Sequence, residues 1–213
     1  MNATEKKEQA GLMAVSGSQA GKGSVGREMV GLSPEEYIPK VLSFIPNDFN
    51  GSLLEFPAGN HAYTVEKFKK LSGANITVVD QNDKILLATQ RAYEEAGIRY
   101  ATFQDGDPAR LKAEKETFDY VLCINGFHTF SDNISTFREA ARVLKKGGHL
   151  CGCCYIRKQS IWTDWMVNIF QVRKGVFVPP FHTFEEMEKN FRSQYSQVEL
   201  SVEKSLLIFD CVK

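Results

Sequence analysis

The sequence predicts an α/β fold: a doubly wound sheet, mostly parallel, finished by a C-terminal antiparallel hairpin. Three features lead there. From Ser33 onward, short continuous apolar runs alternate with stretches whose apolar residues recur three and four apart, the signatures of buried strands and of helices. The Gly147-Gly148 pair interrupts the last helical stretch of this series just before another apolar run. The two final strand-like runs, 197–202 and 206–212, are joined by only a few residues. So short a link allows a hairpin and no crossover, so at least one of the two runs antiparallel to its neighbour.

Taken in order, Ser33-Pro34-Glu35-Glu36 offers a cap, a first-turn proline and a Glu three residues on, which starts a helix reaching about Ile45. Residues 52–56 read as a strand. A helix follows over 62–72, with Ala62, Val65, Phe68 and Leu71 on one face, and then a strand over 76–80. Ile85, Thr89, Ala92 and Ala96 mark a third helix, and 99–103 and 118–124 two more strands. Ile134, Phe137, Ala141 and Leu144 place a helix that Gly147-Gly148 should stop, and 149–156 is the fifth strand. Residues 157–181 are aromatic and irregular, and 183–194 are helical through Phe184, Met187 and Phe191. Strands and helices alternating at this pitch build right-handed β-α-β units, covered on both faces, in a Rossmann-like arrangement.

A chain of 213 residues suits one domain. Residues 1–31 contain Gly11, Gly17, Gly21, Gly23, Gly26 and Gly31 and no aromatic side chain, so they are expected to form a flexible arm. Residues 32–213 then form the single domain, with 157–195 as a lid or substrate insertion. Within the arm, Gly17-Ser18-Gln19-Ala20-Gly21-Lys22-Gly23 departs from a phosphate loop: its spacing is wrong, Gly follows Lys, and no strand precedes it. With 26 basic against 26 acidic residues there is no cationic surplus for a nucleic-acid backbone. Apolar stretches fall short of the ~20 residues that span a bilayer, and the polar start at 1–9 does not read as a signal peptide. A cytoplasmic protein with no nucleic-acid and no membrane partner is expected. Cys123, Cys151, Cys153, Cys154 and Cys211 are odd in number and sit in strand-like runs, which points to buried reduced thiols, with no metal site and no disulfide framework.

In a doubly wound sheet, ligands sit beyond the carboxyl ends of the strands. An acid ending the second strand, here Asp80, can accept from both hydroxyls of a ribose, although the same position also suits a helix cap. Asp107, next to Gly106 in the following loop, offers an acceptor to an adenine amino group.

Glu55 with Gly59, Asp80, Gly106-Asp107, the 118–122 run Phe-Asp-Tyr-Val-Leu and the 141–148 run Ala-Arg-Val-Leu-Lys-Lys-Gly-Gly together resemble the ordered motifs of class I S-adenosylmethionine-dependent methyltransferases. The resemblance covers about 34–213 and is closest to the branch typified by ubiquinone and menaquinone biosynthesis. It implies S-adenosylmethionine as cofactor, with Glu55, Pro57, Ala58 and Gly59 against its methionine part. It also implies Asp80 on the ribose, Gln81 flanking the adenine, Asp107 near the adenine amino group and Asn125 beside the sulfonium. The first-strand loop departs from the family pattern, with Pro57 and His61 where glycines are usual. His128, after the fourth strand, is the candidate general base, and packing between Phe127 and Phe130 is its alternative reading. The aromatic surface of the lid fits either closure over a small, apolar or aromatic substrate or a homodimer contact. Methyl transfer to a small molecule is the function expected. A catalytically silent binding or regulatory protein is the alternative, and a nicotinamide-dependent oxidoreductase is poorly supported without G-x-G-x-x-G.

Overall fold

The structure, a computed structural model, describes residues 31–59 and 61–213, without the side chain of His61. The expected arm therefore lies, up to residue 30, outside the described residues. Helix α1 (Pro34–Ser43) opens with the anticipated capping box, in which the Glu36 carboxylate accepts the Ser33 N–H at 2.7 Å. Its Tyr37, Ile38, Val41 and Leu42 face the core. Then come β1 (Ser52–Glu55), α2 (His61–Phe68), β2 (Asn75–Asp80), α3 (Asp83–Glu95), β3 (Ala101–Asp105), β4 (Phe118–Ile124), α4 (Asn133–Val143) and β5 (Leu144–Tyr155). A short helix α5 (Ile161–Met166) runs on into a π-helical segment (Val167–Val172), and α6 (Phe184–Arg192), β6 (Gln197–Glu203) and β7 (Leu206–Val212) complete the chain.

The seven strands lie in the order β3-β2-β1-β4-β5-β7-β6. All neighbours from β3 to β5 are parallel, and β7 is antiparallel to both β5 and β6. The expected mixed sheet with its C-terminal hairpin is therefore present, and β7 is its one reversed strand. The direction changes at β1, where the chain leaves for β2 on one side and β4 on the other, the place where ligands of doubly wound sheets sit.

Each face of the sheet has its own core. On one, Ile38, Val41, Phe68 and Tyr93 of α1, α2 and α3 cover Leu53, Ile76 and Val78. On the other, Phe137, Ala140 and Phe191 of α4 and α6 cover Leu54, Val121 and Phe209, with Phe127 stacked on Phe137 at 4.1 Å. Residues 106–117 make turns only, so Leu54, Thr77 and Val79 open onto a groove of about 530 Å³ that reaches the amino ends of β1 and β2.

Two boundaries differ from expectation for identifiable reasons. Helix α4 ends at Val143, ahead of Gly147-Gly148, because Leu144 is already extended and pairs with Phe118. The glycines instead form an irregularity inside β5: Gly147 has φ +75°, its N–H donates to the Lys213 carbonyl, and the Lys213 N–H donates to the Gly148 carbonyl. The segment read as irregular contains α5, capped by Ser160, whose hydroxyl accepts the Thr163 N–H.

Candidate active site

Five strand ends meet along one edge of the sheet. At the end of β1, Glu55 is fully buried. Its Oε2 accepts from the Tyr93 hydroxyl at 2.6 Å, and that hydroxyl lies 2.8 Å from the Thr64 hydroxyl. The other oxygen, Oε1, is buried with no hydrogen-bond partner among the described residues. Burial pushes the Glu55 carboxyl up to about 7; the Tyr93 hydrogen bond opposes the shift and the negative charge of Asp80 adds to it. An unpaired carboxylate oxygen in a core is uncommon.

The loop that follows passes through Pro57, joined to Phe56 by a cis peptide bond, and Ala58 to Gly59. Gly59 has φ +98°, a conformation that L side chains rarely adopt, and its N–H donates to the Thr89 hydroxyl at 3.1 Å. The Pro57 ring occupies space that another residue has given up. A Cβ on Gly126, in the loop after β4, would lie 2.8 Å from Pro57 Cδ and collide with Cys123 Sγ. A bulkier residue in the first loop is thus matched by a missing side chain in the fourth.

Asp80 ends β2, nearly buried, and its Oδ1 accepts the Asn82 N–H at 2.8 Å. Burial raises its carboxyl to about 6, against the pull of backbone N–H groups of Asn82, Ala58 and Gln81 and with a contribution from Asp105. Asp80 therefore ties the β1 and β2 loops together, and its carbonyl accepts the Gly106 N–H from the β3 loop at 3.1 Å. The cap of α3 is Asn82, whose side chain accepts from Lys84 and Ile85. Gln81 and Asp107 are exposed at the rim, and Asp107 Oδ1 accepts the Ala109 N–H at 2.9 Å. Glu55, Pro57, Ala58, Gly59, Asp80, Gln81 and Asp107 thus belong to one connected group of loops.

Asn125 and His128 stand in the loop after β4. Asn125 has φ +56°; its N–H donates to the Cys153 carbonyl and its Nδ2 to the Tyr37 hydroxyl at 2.9 Å. His128 is buried, and its Nδ1 accepts the Tyr155 N–H at 3.0 Å. Burial lowers its pKa to about 3, so the ring is neutral near pH 7 and carries its proton on Nε2. Phe177 packs on the ring at 4.0 Å between centroids, and the Val178 N–H donates to the His128 carbonyl. Beyond it lies a cleft of about 390 Å³ lined by Tyr155, Arg157, Lys158, Asp164, Asn168 and Phe181, where the Tyr155 hydroxyl donates to Asp164 at 2.6 Å. Tyr37, Tyr93 and Asp164 were not singled out from the sequence. Tyr37 shares the helical spacing of core residues, and its polar end gains meaning only from Asn125, far along the chain.

With this geometry in view, the family described as "Methyltransferase domain" matches residues 54–152, from β1 into β5. The strand order and the switch at β1 place those motifs on the sheet that the family uses. Residues 54–152, just under half of the chain, thus match a methyltransferase domain. The chain is 25% identical over 123 residues to the uncharacterized methyltransferase YcgJ of Bacillus subtilis, covering 58% of this chain and 47% of that protein. It is also 25% identical over 104 residues to the ubiquinone biosynthesis O-methyltransferase of Serratia proteamaculans, covering 49% and 43%. The matched part thus spans less than half the length of either curated relative. Among solved structures, YcgJ of Bacillus subtilis superposes with a TM-score of 0.67 at 18% identity, covering 79% of this chain and 71% of that one. A geranyl diphosphate methyltransferase in complex with geranyl diphosphate and sinefungin gives a TM-score of 0.66 at 14% identity, covering 83% and 78%. At these identities the structures speak for the fold.

Proposed function

We propose that this chain transfers a methyl group from S-adenosylmethionine to a small apolar or aromatic molecule. The observation that carries the reading is Glu55, a fully buried carboxyl with one oxygen unpaired at the strand end where the sheet changes direction. A ligand with a cationic group would supply the missing partner, and the methionine end of the cofactor carries an ammonium. Gly59, at φ +98°, gives the loop after β1 a turn that L side chains rarely adopt, beside the Glu55 carboxyl. Asp80 keeps a carboxylate at the end of β2 for the ribose hydroxyls, with Gln81 and Asp107 at the adenine rim and Asn125 toward the sulfonium. These residues fit the group.

When bound, the cofactor supplies an electrophilic methyl on sulfur. The protein's part is to hold the acceptor in line and exclude water, since alignment alone can be worth roughly 7–11 kcal/mol of the barrier. Phe181 and Tyr155 supply aromatic walls for the acceptor in the cleft beside them. His128 in its described state lacks a free basic nitrogen, because Nδ1 already accepts the Tyr155 N–H; the proposed role is a neutral, Nε2-protonated ring that positions the acceptor and ties the lid to β5. Proton removal from an acidic acceptor would then fall to the Tyr155–Asp164 pair or to water. Incubation with methyl-labelled S-adenosylmethionine and a panel of phenols, quinols and short isoprenoids tests the reading. Label transfer to at least one, abolished by Asp80→Ala, is expected; transfer to none, with the cofactor bound, would leave a binding protein.

A further inference from the structure

The lid helix is built inside out. Across α5 and the π-helical segment, the buried face carries Thr163, Val167 and Gln171, two of them polar. Large apolar side chains face outward instead: Ile161 is 91% exposed and Trp162 66%, with Trp165 and Phe170 also exposed. Trp162 and Trp165 stack on each other at 5.0 Å, an apolar pair held outside the fold. An amphipathic helix of a lone soluble domain points its apolar side inward, so this arrangement calls for an apolar environment outside the chain.

The charges around the patch say which. Lys158 precedes it and Arg173 and Lys174 follow it, all exposed, and none forms an ion pair with another described residue. The only acid between Lys158 and Arg173 is Asp164, which is turned inward: its two oxygens accept the Tyr155 hydroxyl and the Lys158 N–H. Tryptophans on an apolar face flanked by cations are the composition of a helix lying in an anionic bilayer interface. A second copy fits less well. A two-fold contact through antiparallel helices would set Lys158 of one chain against Arg173 and Lys174 of the other, all of one sign. We propose that α5 and the π-helical segment dock the protein on the surface of an anionic membrane, peripherally. No described helix is long and apolar enough to cross one. This docking departs from the expectation of no membrane partner.

The chain as a whole is uncharged, so general attraction to an anionic surface is small and binding reports on the patch. Trp162 and Trp165 are its only tryptophans, so intrinsic emission reads the patch directly. Vesicles of phosphatidylcholine with an equal part of phosphatidylglycerol should shift that emission to shorter wavelength and co-sediment the protein; pure phosphatidylcholine should do so far less. The triple variant Lys158→Glu, Arg173→Glu, Lys174→Glu keeps both reporters and should weaken binding by roughly fivefold or more per cation. Trp162→Ser with Phe170→Ser should abolish co-sedimentation while leaving the melting temperature unchanged, because both side chains are exposed. Absence of any shift with anionic vesicles, equal binding to neutral ones, or a dimer in sedimentation whose tryptophans are already shielded would overturn the proposal.

Discussion

Glu55 shows how one side chain couples stability to binding. Its folded pKa of about 7 stands well above the ~4.3 of a free glutamate, so between those values the folded state holds a proton that the unfolded state has lost. The Glu55 contribution to stability is therefore complete below about pH 4, falls as pH rises toward 7, and levels off above. Asp80, raised to about 6, adds in the same direction over a slightly lower window. Glu55→Gln removes the Glu55 part: urea unfolding should find the variant equal to the native chain near pH 4 and more stable at pH 8, by on the order of 3–4 kcal/mol. A variant less stable at pH 8 would mean that the buried carboxyl is satisfied after all. A cation placed at Oε1 reverses the preference, so cofactor binding in the native chain should release a proton below pH 7.

At the scale of elements, the most family-like runs turn out to be joints. Asp119, at the start of β4, accepts the Ser52 N–H of β1 at 2.8 Å and holds the Lys145 ammonium of β5 with both oxygens at 2.9 Å. Arg142 reaches from α4 to the carbonyls of Leu111 and Ala113 and pairs with Glu139 at 2.7 Å. Asp119→Ala should cost about 1–2 kcal/mol by denaturant titration, mainly from the Ser52 N–H left without its acceptor, and Lys145→Met should cost less. Equal losses would assign the joint to the ion pair instead. Strands β4 and β7 were legible to the residue because they are continuous apolar runs with turns at both ends. Gly147-Gly148 misled because glycine serves a helix stop and a strand irregularity equally well, and the outcome depends on Lys213, at the far end of the chain. The lid helix escaped notice because it is only six residues long and runs on into a π-helical segment, so little regular period is left to read. Asp80 could be singled out from its position at a strand end and Glu55 from the family resemblance, whereas Tyr93 and Tyr37 required the fold to bring their hydroxyls to Glu55 and Asn125.

At the scale of the whole molecule, the sheet order and the loops joined through Asp80 bring the strand-end residues to one edge, with the aromatic lid beside it. The central claim is that this edge takes S-adenosylmethionine despite Pro57 in the first loop, a ring that Gly126 leaves room for. Thermal unfolding with S-adenosylmethionine and with S-adenosylhomocysteine, against NAD as a control, tests it most directly. A ligand at 100 times its dissociation constant should add about 2.7 kcal/mol of stability, which for a domain of this size raises the melting temperature by roughly 5–10 °C. Such a rise with both sulfur compounds and none with NAD is the predicted result; no rise with either at millimolar concentration would contradict the account.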